Sequence, residues 1–129
     1  MKTEHVAIWA NNIEIMKNFY CKYFNGTANE KYINNTKGFS SYFISFESGC
    51  RLEIMHSESM GNETFKNTSQ KFGLIHPAIS VGNKKMVNKL TRQLENDGYK
   101  IIGQPRTTGD GYYESVILDP EDNQIEITI

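Results

Sequence analysis

Between His5 and Ala10 the chain carries a short apolar run closed by Asn11-Asn12, a pattern that predicts a strand ending in a turn. Ile13, Met16, Tyr20 and Tyr23 then recur at the three- and four-residue spacing of a helix face. Asn11, with Glu14 three residues on, predicts the helix start: an Asn cap and an acid in the first turn. Gly26 predicts its stop. Strand-like segments follow near 27–33, 40–47 and 50–56, with a turn at Ser48-Gly49. The second half reads alike. An apolar strand starts at His76, and Asn83 opens a helix striped by Met86, Val87, Leu90 and Leu94 and ended by Gly98. Strands are predicted near 100–105, 112–118 and 124–129. Before the last, Asp119-Pro120 to Asn123 predicts a turn, with Pro at its second position and an Asn tolerant of the left-handed conformation at its end.

The likeness of the halves extends to residues. His5-Val6-Ala7-Ile8 recurs as His76-Pro77-Ala78-Ile79, at an offset that also carries Asn12 onto Asn83. Leu52-Glu53-Ile54 recurs as Ile125-Glu126-Ile127 at a slightly longer offset, which longer loops in the second half explain. An ordered set of matches marks a duplicated unit. Each half reads βαβββ, in modules of about 1–56 and 74–129 joined by a polar linker at 57–73. At 129 residues the chain is expected to form one α+β domain.

Composition narrows the function classes. Hydrophobic residues make up 38%, with seven Tyr and seven Phe, which excludes intrinsic disorder. Fourteen basic against fifteen acidic residues leave a net charge of −1, so no electrostatic footprint for nucleic acid or an anionic membrane exists. The longest apolar run, Val6 to Ala10, is far short of a membrane span. Without a basic-then-apolar leader pattern, a cytoplasmic location is expected. Cys21 and Cys50 form no CxxC pair and suggest no disulfide framework, and Cys21 is expected as an apolar filler in the first helix. Asn62-Glu63-Thr64 and Asn67-Thr68-Ser69 are formal glycosylation sequons that an intracellular chain would not use.

Strand alternation brings in chemistry. His5, Ala7 and Trp9 share one face, as do Arg51, Glu53 and Met55, His76, Ala78 and Ser80, and Gln124, Glu126 and Thr128. The opposite faces are aliphatic and suited to packing under a helix. The other face of each strand holds one His or one Glu, so His5, Glu53, His76 and Glu126 form a candidate metal set. Two neutral imidazoles and two carboxylates suit Zn, Ni, Co, Mn or Fe(II). His56, three residues after Glu53, points away and reads as structural or exposed. Trp9 serves packing or substrate contact. Lys84, Lys85, Lys89 and Arg92 read as a solvated helix face.

The pattern resembles the vicinal oxygen chelate superfamily, and within it glyoxalase I (lactoylglutathione lyase) and its bacterial relatives, over about residues 3–128. The stretches that carry the resemblance are Glu4-His5-Val6-Ala7, Arg51-Leu52-Glu53-Ile54-Met55, Gly111-Tyr112-Tyr113-Glu114-Ser115 and Asp119-Pro120 through Gln124-Ile125-Glu126-Ile127. The resemblance implies the glyoxalase/bleomycin resistance protein/dihydroxybiphenyl dioxygenase fold, with two βαβββ modules around an incomplete eight-stranded barrel-like cleft. It further implies a homodimer in which His5 and Glu53 of one subunit meet His76 and Glu126 of the partner subunit. The implied cofactor is a divalent ion, Ni2+ or Zn2+ before Co2+, Mn2+ or Fe2+. The implied reaction takes a small α-oxygenated molecule or thiol hemithioacetal through a metal-stabilised enediolate to the isomerised thioester. Glu126 is the first choice as proton-transferring base and Glu53 the second. Trp9, Arg51 and Met55 would line the substrate pocket.

Departures from that pattern shape the expectation. Trp9 stands where glyoxalase I relatives place an Arg, and of Arg51, Arg92 and Arg106 only Arg51 is expected on the ligand face, which argues against glutathione as the thiol. Pro77 predicts that its strand begins there or lies at an edge, and Asp122 fills a turn position often held by Gly. Competing readings are an epimerase, thiol transferase or dioxygenase on the same scaffold, or a non-catalytic bleomycin-type sequestering protein. Enzymes of the second and third kinds use three ligands, so Glu53 as a fourth weighs against them.

Overall fold

The computed structural model describes residues 1–61 and 73–129. Most of the expected linker, and both sequons, lie outside the described residues. The chain divides into two compact units, Met1–Phe65 and Lys66–Ile129.

In the first unit the order is β1 (His5–Trp9), α1 (Ile13–Phe24), β2 (Thr27–Ala28), β3 (Tyr32–Asn34), β4 (Phe39–Ser45) and β5 (Arg51–Ser57). β1 lies parallel to β5, and β4 pairs antiparallel with β5, β2 and β3. The Ala10 N–H still bonds the Met55 carbonyl at 2.7 Å, so the chain stays in the sheet one residue past β1. The helix cap accordingly falls on Asn12 rather than Asn11. Its Oδ1 accepts from the N–H groups of Glu14 and Ile15, both at 3.1 Å, which satisfies two of the helix's orphan donors. At the other end the left-handed residue is Asn25, with φ 53°, and not Gly26. Gly26 is required for a different reason: a Cβ there would sit 2.5 Å from the Ile44 side chain.

The single strand expected at 27–33 is two short ones. Asn29 separates them by donating its N–H to the Phe43 carbonyl while its Oδ1 accepts from the Phe43 N–H at 2.7 Å. A side chain thus takes over a backbone acceptor's place and ends the regular ladder. Beneath this sheet Ile13, Met16, Phe19, Tyr20, Tyr23 and Phe24 pack from α1 against β4 and β5, where Tyr42, Ile44, Leu52 and Ile54 are buried. Each such side chain contributes about 1.5–3 kcal/mol on burial. Cys21 is only half-buried, unlike the filler its position predicts.

A polar clasp closes the edge of this layer. Glu14 accepts from Lys17 at 3.0 Å, Lys31 at 3.1 Å and the Tyr42 hydroxyl at 2.9 Å. The Lys17 and Lys31 ammonium groups and the Tyr42 hydroxyl hold the Glu14 carboxyl down to about 2. A depressed carboxylate pKa means that the native state binds fewer protons than the unfolded chain. Its stabilisation is therefore complete above the ordinary Glu value of about 4.3 and is lost as pH falls towards 2. Because the Glu14 side chain is 46% exposed, solvent screening keeps the gain to about 1 kcal/mol or less. Chemical denaturation of wild type and Glu14→Gln should show a stability difference at pH 7 that closes below pH 4.3, and a pH-independent difference would exclude the clasp.

The second unit repeats the plan with β6 (Ala78–Ser80), α2 (Lys84–Asn96), β7 (Ile101–Thr107), β8 (Tyr113–Leu118) and β9 (Gln124–Thr128). β6 is parallel to β9, and β8 pairs antiparallel with β9 and β7. Each unit thus matches the βαβββ plan, the first with its second strand split. Asn83 caps α2, its Oδ1 accepting from the Met86 N–H at 3.0 Å. The buried stripe is Val87, Leu90, Thr91 and Leu94, facing Ser115, Ile117, Ile125 and Ile127. Met86, expected in that stripe, is exposed. Thr91 is in it instead, because its hydroxyl donates to the Val87 carbonyl at 2.7 Å and pairs with the Ser115 hydroxyl at 2.6 Å. In the last turn Asp119 accepts from the N–H groups of Glu121 and Asn123, both at 2.9 Å. The left-handed residue is Asp122, with φ 65°, one before the expected Asn123. Among the described residues no helix is long and apolar enough to cross a membrane.

Candidate metal and substrate site

Helices cover one face of each sheet, and the ladders decide which side chains share the other. In the first unit β1 and β5 run in phase, pairing His5 with Arg51, Ala7 with Glu53 and Trp9 with Met55. Phe43 of β4 stands opposite Glu53. The open face therefore collects His5, Trp9, Arg51, Glu53 and Met55. His5 Nε2 lies 3.7 Å from Glu53 Oε2, and the Glu53 side chain is 14% exposed. On its other side the imidazole donates from Nδ1 to Glu4 Oε2 at 2.6 Å, since a carboxylate there can only accept. The imidazole also meets the edge of the Phe43 ring, with centroids 5.3 Å apart. Arg51 lays its guanidinium over the Phe43 ring at 4.1 Å and forms an ion pair with Glu4. Trp9 remains half exposed and meets the Phe39 ring edge-on at 6.2 Å.

The second unit arranges an equivalent pair. Glu126 stands between Ala78 of β6 and Val116 of β8. His76 lies two residues before β6 rather than within it, because Pro77 has no N–H for the ladder and contributes only its carbonyl, which accepts from the Glu126 N–H at 3.0 Å. His76 Nε2 nevertheless lies 3.2 Å from Glu126 Oε2, whose side chain is 17% exposed. His56 points elsewhere, donating from Nδ1 to the Ala10 carbonyl at 2.9 Å and tying β5 to the end of β1.

Two residues of the second unit join this face that pattern alone does not single out. Glu114 shares the face of Val116 and Glu126 by alternation along β8, and it is buried. Burial, then the neighbouring Glu126 carboxylate and a hydrogen bond with it, push the Glu114 carboxyl up, against the opposing pull of Arg106. Arg106 stands opposite Glu114 in the ladder, its Nη2 3.5 Å from Glu114 Oε1. This corrects the expectation that Arg51 is the one guanidinium on the ligand face. The strand runs on to Thr107, and register shifts between Ile101 and Gly103 and between Gly103 and Arg106 re-aim its side chains. Alternation counted through 100–105 misses both effects. The signal for Glu114 was its alternation with Tyr113 and Ser115, but only the ladder says which of the two faces is open.

The donor chemistry fits a divalent cation. In the neutral imidazole with its proton on Nδ1, His5 Nε2 presents a lone pair beside a Glu53 carboxylate oxygen, and a cation between two such acceptors makes the juxtaposition favourable. Ligand atoms on one tetrahedral or octahedral ion lie about 3–3.4 Å apart for bonds near 2.1 Å; the His76–Glu126 separation of 3.2 Å falls in that range and the His5–Glu53 separation of 3.7 Å lies just beyond it. Each unit brings together two of the four predicted ligands. Among the described residues no group of three or more His, Cys, Asp or Glu is placed to hold a metal.

Comparison with known proteins supplies the context. A family model described as Glyoxalase/Bleomycin resistance protein/Dioxygenase superfamily matches residues 2–127. No protein of curated function matches the sequence. Among solved structures, a glyoxylase/bleomycin resistance protein/dioxygenase domain from Frankia sp. EAN1pec superposes with a TM-score of 0.83 at 15% identity, covering 100% of this chain and 97% of its own. A glyoxalase family protein from Enterococcus faecalis gives 0.79 at 22% identity, over 99% and 97% of the two chains. The trypanothione-dependent glyoxalase I of Leishmania major gives 0.76 at 16% identity, over 99% and 86%. At these identities the likeness is one of fold.

Proposed function

The chain belongs to the Glyoxalase/Bleomycin resistance protein/Dioxygenase superfamily, and from that premise we propose that it is a metal-dependent lyase or isomerase of the glyoxalase I type. Its substrate is a small α-oxygenated molecule or the hemithioacetal of a thiol. The observation that carries this reading is the His–Glu pair repeated in the two units, His5 with Glu53 and His76 with Glu126. The two units act as one domain, and a homodimer completes each site with ligands from both chains. His5, Glu53, His76 and Glu126 would hold a divalent ion, Ni2+ or Zn2+ before Co2+, Mn2+ or Fe2+, which would supply the positive charge that favours loss of the proton beside the substrate carbonyl.

The side chains account for the rest of the chemistry. Glu126, mostly shielded from water, takes the proton from the carbon beside the carbonyl and returns it to the adjacent carbon. Glu53 is the symmetric second base. Trp9 and Met55, next to each other across the β1–β5 ladder, hold the apolar part of the substrate. Arg51 is already bound to Glu4 and Phe43, so the first unit offers little to a carboxylate-bearing thiol such as glutathione. The aromatic open face of that unit, with Trp9, Phe39 and Phe43, also favours a second reading, sequestration of a planar apolar ligand without turnover.

Protein stripped of metal and reloaded separately with Ni2+, Zn2+, Co2+ and Mn2+ tests both. Methylglyoxal with a panel of charged and uncharged thiols should give thioester with at least one metal, fastest with an uncharged thiol. A chain that takes up no metal and turns over no adduct would leave sequestration as the function.

A further inference from the structure

We infer that Glu4, clamped by Arg51, is the positioning residue that sets the tautomer and orientation of His5. The inference builds on the proposed metal site only where metal affinity is concerned; the imidazole geometry stands without it. Two contacts converge on one carboxylate. Glu4 Oε2 accepts from His5 Nδ1 at 2.6 Å, and Glu4 Oε1 takes the Arg51 guanidinium in an ion pair. The guanidinium is itself seated 4.1 Å above the Phe43 ring, whose edge meets the His5 imidazole. Glu4 precedes β1, so strand alternation does not turn it to the opposite face, while its carbonyl accepts from the Arg51 N–H at 3.0 Å and holds the two residues in register.

The consequence is chemical. A neutral imidazole has one N–H, and a carboxylate at Nδ1 draws it there. Nε2 is then left as a lone pair aimed at the Glu53 side, the form in which it can bind a cation. Arg51 thereby serves the imidazole through Glu4 and not a substrate carboxylate. The device is confined to the first unit: the residue before His76 is Ile75.

The test compares wild type with Glu4→Ala, Glu4→Gln and Glu4→Asp, all checked for unchanged thermal unfolding. In metal-free protein at alkaline pH, imidazole nitrogen shifts should report the Nδ1–H tautomer for His5 in wild type. Glu4→Ala should move His5 towards the tautomer mixture of a free imidazole and leave His76 unchanged. Titration with Co2+ should then show affinity weakened about 10- to 100-fold in Glu4→Ala, with partial recovery in Glu4→Asp. An unaltered His5 tautomer in Glu4→Ala overturns the inference, as does Co2+ affinity within twofold of wild type. If wild type itself takes up no Co2+, the metal reading fails, and the tautomer measurement alone still decides the role of Glu4.

Discussion

Replacing Glu126 by Gln is expected to lower turnover by about 10²- to 10⁴-fold, the range that general acid–base catalysis supplies. Gln preserves the length of the side chain and an oxygen beside His76, but it cannot accept the substrate proton. The local packing gives little reason for the variant to misfold. Glu126 points from the open face between Ala78 and Val116, and an amide there removes the carboxylate that, with burial, pushes the Glu114 carboxyl up. Metal stoichiometry should therefore survive while kcat collapses. The measurement pairs steady-state kinetics with metal analysis on the same preparation. A kcat within tenfold of wild type would remove Glu126 as the base and shift the role to Glu53.

The second large effect concerns the proposed homodimer. His5→Ala and His76→Ala chains should each be inactive, because each loses an imidazole from every site. Mixed after dissociation, they should recover about a quarter of wild-type activity. Half of the dimers in a random mixture are hybrids, and a two-fold interface with crossed ligands places both lesions of a hybrid in one of its two sites. The other site is then wild type. If both ligand pairs of a site came from one chain, every site in every hybrid would carry a lesion and no activity would return. Native mass measurement establishes that hybrids have formed, so their inactivity would exclude ligand sharing.

Much of this architecture was legible before any coordinates. The helix stripes Ile13, Met16, Tyr20, Tyr23 and Val87, Leu90, Leu94 are buried as their spacing requires, because one face of a helix must exclude water. The strands at 51–57 and 124–128 place Leu52, Ile54, Ile125 and Ile127 inward for the same reason, which leaves Glu53 and Glu126 on the other side. Where the reading slipped, a competing local interaction decided the outcome. The Ala10–Met55 hydrogen bond moved a helix cap by one residue, the Asn29 side chain divided a strand, and the hydroxyl pair Thr91–Ser115 added a polar residue to the buried stripe from which Met86 is absent.

Residue order alone, through its period and its repeat, determined two βαβββ units, the helix-facing side of the four strands around His5, Glu53, His76 and Glu126, and those four positions as the ones worth considering. Those features are local, since alternation and helical period depend only on neighbouring side chains. Tertiary structure decided what touches what. It brought His5 to Glu53 and His76 to Glu126, turned Glu4 and Arg51 onto the imidazole, and placed Arg106 beside Glu114 through bulges in β7. Apart from Glu4 beside His5, these are contacts between distant segments, set by strand register and by a few register shifts, and no local periodicity encodes either.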